Sequence, residues 1–458
     1  MTPSQTLYLL LDLALILGLA RLLGAAARAL GQPAVIGEIL AGVLLGPTLL
    51  GAHFADTLFP ADVRPLLSAL AGVGLALFMF AVGLEIDLGV LRGGGRVTLW
   101  ATTFSTVLPL GLGAGLAWLL ADTHRQGPLL AFVLFFAVAM AATAFPVLAR
   151  IIADRGLTRT RLGTTALTCA AITDLLVWIL LAVAAAVATG EDLDWRLVLL
   201  VPYVVLMITV VRPLLRKAGG LSGRKRKRGA GFTASGASDA SGASGASDAS
   251  GASGESTNLV VLVLAGLLLS SACTEWLGLH YIFGAFLFGA IIPRDGHTAL
   301  REGALQRMEP LSRLLLLPVY FVLAGLKVDL SELDLTDLGT LAAILVVAMA
   351  GKLLGTYVGA RLGGFGRRPA AALGALLNTR GLTELVVLGI GLELGLLDGT
   401  LYSLMVVMAV ATTALTGPLL TRILPTTGKN GAPAEQPAPT TPGAQEASPR
   451  EAVPATDK

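Results

Sequence analysis

Apolar residues run along this chain in long, unbroken stretches. Thirteen of them lie near 5–24, 34–51, 65–88, 97–120, 129–153, 161–189, 195–215, 258–275, 278–293, 309–327, 337–361, 369–394 and 399–424. About 20 such residues span the hydrocarbon core of a bilayer as a helix. Strands of a membrane barrel would alternate apolar and polar positions, and these runs do not alternate. The pattern predicts an all-α membrane protein with about 13 transmembrane helices. Two stretches depart from it. Residues 217–257 begin with Arg224-Lys225-Arg226-Lys227-Arg228 and continue as a Gly-Ala-Ser repeat with scattered Asp. Residues 427–458 are rich in Pro, Ala and Thr. Neither has enough apolar surface to form a core, so both are expected to be disordered. The chain then divides into a first membrane half (1–216, seven helices), a loop (217–257), a second membrane half (258–426, six helices) and a tail (427–458).

Composition agrees with lipid as the solvent. Apolar residues make up 55% and charged residues 14%, against roughly 25% charged in soluble domains. A soluble enzyme, a disordered chain and a disulfide scaffold are all excluded. Cys169 and Cys273 both sit in apolar runs, so no disulfide is expected. Basic residues collect in alternate loops, at Arg28, Arg92, Arg96, Arg155, Arg159, Arg161, Lys217, Arg294, Arg301, Arg307, Arg367 and Arg368. The intervening loops carry acids such as Glu191, Asp192, Asp194, Glu332 and Asp334. The positive-inside rule makes the basic loops cytoplasmic. This places the chain in the cell membrane with its N-terminus outside and its C-terminus in the cytoplasm. The basic cluster at 224–228 then reads as a cytoplasmic loop against anionic lipid, not as a nucleic-acid site. The first run has no basic residue before Leu7 and reads as a span, not a cleaved leader.

The two halves echo each other. Val35-Ile36-Gly37-Glu38-Ile39-Leu40-Ala41-Gly42 matches Ile282-Phe283-Gly284-Ala285-Phe286-Leu287-Phe288-Gly289, and Val82-Gly83-Leu84-Glu85-Ile86-Asp87-Leu88 matches Ala324-Gly325-Leu326-Lys327-Val328-Asp329-Leu330. The offsets are 247 residues from Gly37 to Gly284 and 242 from Gly83 to Gly325. Seven helices separate the members of each pair, and an odd number reverses their direction. That is an inverted-topology repeat, which in secondary transporters places the site at the midplane.

Ionisable side chains at that depth are costly, and function is their default reading. Asp174 lies near the middle of the run 161–189, and Lys352 near the middle of 337–361. Opposite charges at one depth are able to pair. Two runs are interrupted at the same level, by Thr143-Ala144-Phe145-Pro146 and by Asn378-Thr379-Arg380-Gly381. Pro146 removes a helical hydrogen bond. Unwound stretches free backbone carbonyls to coordinate cations, and Thr and Asn add oxygens. Oxygen ligands with one carboxylate suit a hard alkali cation. Arg380 and Glu384, four residues apart, are expected to pair locally. Glu38 reads as a polar contact between helices and His280 as an interfacial residue.

These residues carry a resemblance. Thr143-Ala144-Phe145-Pro146-Val147-Leu148-Ala149-Arg150, Ala170-Ala171-Ile172-Thr173-Asp174, Gly351-Lys352-Leu353-Leu354-Gly355 and Asn378-Thr379-Arg380-Gly381-Leu382-Thr383-Glu384-Leu385 stand in the order found in one family. Over about residues 5–424 the chain resembles the second subfamily of monovalent cation–proton antiporters, the Kef-type proteins and plant cation/proton exchangers. The resemblance implies a homodimer and a core domain that moves as an elevator around two crossed, broken helices. It implies that Asp174 binds proton and cation in turn, with Thr173, Thr143, Asn378 and Thr379 in the binding region. Lys352 is then the membrane lysine facing Asp174, with Arg380 and Glu384 compensating charge. Many relatives carry Asn or a second Asp before the essential Asp, where this chain has Thr173, so stoichiometry stays open. Kef-type proteins also carry a nucleotide-binding domain, and no Gly-x-Gly-x-x-Gly signature follows the last span here.

The expected activity is exchange of K⁺ or Na⁺ for H⁺ by alternating access, without a cofactor and with no metal beyond the transported alkali cation. The alternative is a Kef-like cation efflux channel without tight proton coupling. An enzyme is not expected, because His53, His124, His280 and His297 all lie in loops or at helix ends.

Overall fold

The computed structural model describes residues 2–85, 95–188, 199–217, 245–277, 279–293, 308, 310–331 and 333–424. The first half contains α1 (Pro3–Ala29), α2 (Ala34–Leu45), α3 (Arg64–Glu85), α4 (Arg96–His124), α5 (Leu129–Ala141), α6 (Phe145–Asp154), α7 (Arg161–Ala188) and α8 (Leu200–Leu206). The second half contains α9 (Gly245–Trp276), α10 (Tyr281–Ile291), α11 (Leu317–Leu326), α12 (Leu335–Leu362), α13 (Arg367–Leu377), α14 (Leu382–Glu393) and α15 (Gly399–Ile423). Among the described residues there is no strand. Helix starts follow local chemistry. Thr2 and Gln5 form a reciprocal capping box at α1, and Asp334 and Asp337 form another at α12.

Six described helices, α1, α3, α4, α7, α12 and α15, are long and apolar enough to cross a membrane. Helices α2, α5 and α10 and the segments Val260–Trp276 and Leu314–Leu326 are shorter apolar helices. A count of thirteen full spans is therefore not confirmed. The run 34–51 shows why. Its helix stops at Leu45, and Pro47 begins a separate turn, Pro47–Leu50. Helix α9 begins at Gly245, inside the stretch 217–257 that the sequence reads as a disordered loop. There Ala246, Ala249 and Ala252 alternate with as many glycines, and the helix is continuous with the apolar span that follows. The basic cluster 224–228 and the tail 427–458 lie outside the described residues.

The helices form two bundles. Helices α1, α2, α3, α9, α10 and α11 pack together, and α4 to α7 pack with α12 to α15. The first bundle displays the repeat directly. A Cβ on Gly42 would strike the backbone of Val322 and Gly325, and one on Gly289 would strike the backbone of Phe80 and Leu84, beside Gly83. Gly42 and Gly289 are equivalent in the repeat, and so are Gly325 and Gly83. The operation that carries Gly42 onto Gly289 thus carries Gly325 back onto Gly83, which is a two-fold relation. Gly37 packs on the Leu23 carbonyl as Gly284 packs on that of Ser270, and Leu23 precedes Ser270 by the same 247 residues that separate the two glycines. The second bundle follows suit. Helix α4 packs against α12, and the first residues of these helices, Arg96 and Leu335, stand 239 residues apart.

Candidate functional site

The two interruptions are real breaks at one level. The expected span 129–153 divides into α5 and α6 across Ala142, Thr143 and Ala144. The span 369–394 divides into α13 and α14 across residues 378–381. Pro146 falls in the first turn of α6, where a missing N–H costs nothing, so it starts the second half-helix instead of kinking one long helix. The breaks meet through their backbones. The Ala144 N–H donates to the Thr379 carbonyl at 3.0 Å. Thr143 Oγ1 donates to the Leu377 carbonyl at 3.3 Å, and Thr383 Oγ1 donates to the Thr143 carbonyl at 3.2 Å. Backbone groups freed from helix are thereby satisfied inside the protein, as a membrane interior requires.

Two cations occupy the carbonyl end of α5. Lys352, fully buried, donates to the Ala141 carbonyl at 2.6 Å and to Thr143 Oγ1 at 2.7 Å. Arg380, also fully buried, donates to the carbonyls of Ala139 at 3.0 Å and Met140 at 2.7 Å. Its Nη1 also pairs with Glu384 Oε2 at 2.7 Å, the local pair the four-residue spacing predicts. Helix C-termini carry partial negative charge, so these cations sit where the backbone attracts them. Thr413 braces the second break from α15. Its hydroxyl accepts from the Arg380 N–H at 2.9 Å and donates to the Arg380 carbonyl at 2.7 Å.

Asp174 projects from the middle of α7 and is 1% exposed. Among the described residues neither carboxylate oxygen has a hydrogen-bond partner. The Phe145 amide at the start of α6 and the Lys352 ammonium are the groups that act on it. Asp174 and Lys352 form no ion pair. The lysine is held instead by Ala141 and Thr143, a partnership that a sequence comparison of depths does not reveal. Thr173 is fully buried, its Oγ1 3.5 Å from that of Thr106. Asn378 is fully buried, with Nδ2 donating to the Thr412 carbonyl at 3.5 Å and Oδ1 unpartnered. Thr379 Oγ1 turns back to the Leu376 carbonyl at 2.7 Å.

The sequence reading missed Thr106, Thr383, Thr412 and Thr413. Hydroxyls inside apolar runs were the available signal. Glu38 and His280 lie away from the breaks. Glu38 is half-buried on α2, and His280 Nε2 lies 3.5 Å from Glu393 Oε2 beside a cavity between the bundles. Among the described residues no group of three or more His, Cys, Asp or Glu is placed to hold a resident metal ion.

A helical bundle with a two-fold repeat and two helices broken at one level is the architecture of secondary transporters. Known proteins make the class specific. The family model "Sodium/hydrogen exchanger, transmembrane" matches residues 14–425. The Na(+)/H(+) antiporter NhaS4 of Synechocystis sp. is 36% identical over 435 residues, 93% of this chain and 99% of that protein. Cation/H(+) antiporter 20 of Arabidopsis thaliana is 37% identical over 433 residues, 91% of this chain and 48% of that one. K(+)/H(+) antiporter 1 of Saccharomyces cerevisiae is 30% identical over 418 residues, 87% of this chain and 44% of that one. The chain spans about half the length of these last two relatives. The solved structure of the sodium proton antiporter MjNhaP1 from Methanocaldococcus jannaschii shares the fold, with a TM-score of 0.61 and 16% identity over 94% of this chain and all of that one. The chain belongs to the sodium/hydrogen exchanger family and is a multi-pass membrane protein.

Proposed function

We propose that the protein exchanges a monovalent cation, K⁺ or Na⁺, for protons by alternating access, with Asp174 as the site the two ligands share. The observation that carries this reading is a carboxylate at the centre of a membrane helix, buried and without a hydrogen-bond partner. A carboxylate so desolvated requires a counter-ion or a proton, and one oxygen pair cannot hold both. Asn378 Oδ1, also unpartnered and carried by the second break, supplies a neutral ligand of the kind a hard cation prefers. Thr143, Thr173 and Thr379 shape the surrounding cage. Lys352 and Arg380 hold the break of α5 and α6 rigid, and Glu384 balances Arg380. Relatives named for sodium and for potassium exchange leave both ions in play. The same reading takes the protein as a homodimer in the cell membrane, with its N-terminus outside and its C-terminus in the cytoplasm.

The test uses proteoliposomes with an imposed pH gradient. Adding K⁺, Na⁺ or Li⁺ should collapse the gradient in the wild type and leave it intact in Asp174→Asn. Gradient collapse at the wild-type rate in a folded Asp174→Asn protein would remove Asp174 from the mechanism. Cation flux without proton movement would favour the channel alternative.

A further inference from the structure

A second line of polar side chains enters the core from behind the breaks. Helices α4, α7 and α12 enclose Thr98, Thr102, Ser105 and Thr106 from the first, Thr165, Cys169 and Thr173 from the second, and Thr356 from the third, all within 9% exposure. Helices α4 and α12 run antiparallel in close contact. Gly363 lies against Val97, Gly359 against Trp100, Gly355 against Phe104 and Gly351 against Pro109. Thr356 therefore lies at the level of Thr102 and Thr103, and Lys352 at about the level of Leu108, just beyond Thr106. Helix α7 completes the register. Cys169 Sγ lies 3.8 Å from the Thr98 carbonyl, and Thr173 Oγ1 lies 3.5 Å from Thr106 Oγ1. The line begins at the end of the core where Arg96 and Arg161 open their helices, and it stops at Asp174 and Lys352. From Thr98 to Thr106 it climbs about 12 Å at the rise of an α-helix.

Buried hydroxyls in apolar helices usually donate to the carbonyl three or four residues back. Thr412, fully buried on α15, does so, bonding the Met408 carbonyl at 2.8 Å. Ser105 bonds the Thr102 carbonyl at 3.1 Å. Thr102, 5% exposed, and Thr356, fully buried, make no such bond, and both hydroxyls are unpartnered. Buried polar atoms are otherwise almost always bonded, and polar cavities take up water. We propose that this file of hydroxyls is a hydrated lead that carries protons between the arginine-bearing end of the core and Asp174. A proton passes along it by exchange of hydrogen bonds. Each hydroxyl or water accepts one proton and gives up another, so the file itself is unchanged. The inference rests on Asp174 as the shared site.

The test separates proton movement from cation movement. Thr102→Val and Thr356→Val keep shape and remove the hydroxyl. In proteoliposomes the double variant should lose about tenfold or more of the maximal cation/proton exchange rate, on the scale of a lost proton relay. The cation concentration for half-maximal rate should not change. Isotopic cation-for-cation exchange at constant pH needs no net proton transfer and should keep its wild-type rate. Thr102→Ser with Thr356→Ser should restore proton exchange. Equal loss in both modes, or no loss in either, would overturn the proposal. Asp174→Asn, run alongside, should abolish both modes. Were it to keep both, the shared-site reading would fall, while the valine variants would still report on the file through the proton mode.

Discussion

The two broken helices occupy equivalent places in the repeat, yet their carbonyl ends are treated differently. At the end of α5, Lys352 and Arg380 cover the carbonyls of Ala139, Met140 and Ala141. At the end of α13, the Gly374 carbonyl accepts the Asn378 N–H, the Leu376 carbonyl accepts from Thr379 and the Leu377 carbonyl accepts from Thr143. These donors are neutral. A half-helix C-terminus attracts cations. The first break has its cations built in, whereas the second has Asn378 Oδ1 open, and under the proposed function its field is left for a mobile cation. Symmetry of fold therefore does not mean symmetry of charge, and under the proposed function this asymmetry would leave a duplicated frame with one ion site instead of two.

Substitutions test that contrast, and Arg380→Ala should have the largest effect. It strands a fully buried Glu384 and bares two carbonyls, a loss of about 3–5 kcal/mol for breaking a buried pair. Thermal unfolding in detergent should show a large drop, partly recovered in an Arg380→Ala/Glu384→Gln protein. An unchanged melting temperature would mean the pair is not structural. Lys352→Met should cost less, about 1–3 kcal/mol for two unmade hydrogen bonds, and the protein should still insert. It should also let the first break bind cation, seen as a second component in isotopic binding. Acid should act through Asp174. As pH falls the carboxyl takes up a proton, so the half-maximal cation concentration should rise by up to about tenfold per pH unit. A flat profile would separate the two ligands' sites. Asn378→Ala should be mildest. It should weaken cation affinity about fivefold, the equivalent of roughly 1 kcal/mol, without changing the melting curve.

The two breaks themselves were legible in the sequence, for physical reasons. Pro146 and the Asn378–Gly381 stretch interrupt apolar runs, and backbone breaks follow from such residues. Asp174 stood out because a charge at mid-span has few uses other than function. The paired motifs at Gly42 and Gly289 were visible because backbone-to-backbone packing admits no side chain. What the sequence hid were the long-range choices of donors with several acceptors in reach. Lys352 bonds Ala141 and Thr143, 211 and 209 residues away, and not Asp174. Arg380 reaches Ala139 across 241 residues. Nothing in spacing selects those carbonyls. The count of spans is not confirmed for a related reason. Apolar length alone does not separate a full span from a short helix or a half-helix, as the runs holding α2 and α10 show.

The glycine contacts described above have a mechanical side. Inside each bundle, helices touch through bare backbone, at Gly37, Gly42, Gly284 and Gly289 in one and at Gly351, Gly355 and Gly359 in the other. Between the bundles, buried apolar side chains pack in one core, and the hydrogen bonds among the described residues involve side-chain tips. Tyr402 Oη reaches the Ala324 carbonyl, Ser403 Oγ accepts from the Asp329 N–H, and Gln32 Nε2 reaches the Ala414 carbonyl. Backbone contacts resist displacement steeply, while side-chain tips give way by changing rotamer. Under the proposed alternating access, the molecule would work as a laminate, two plates that slip along their seam before either one bends.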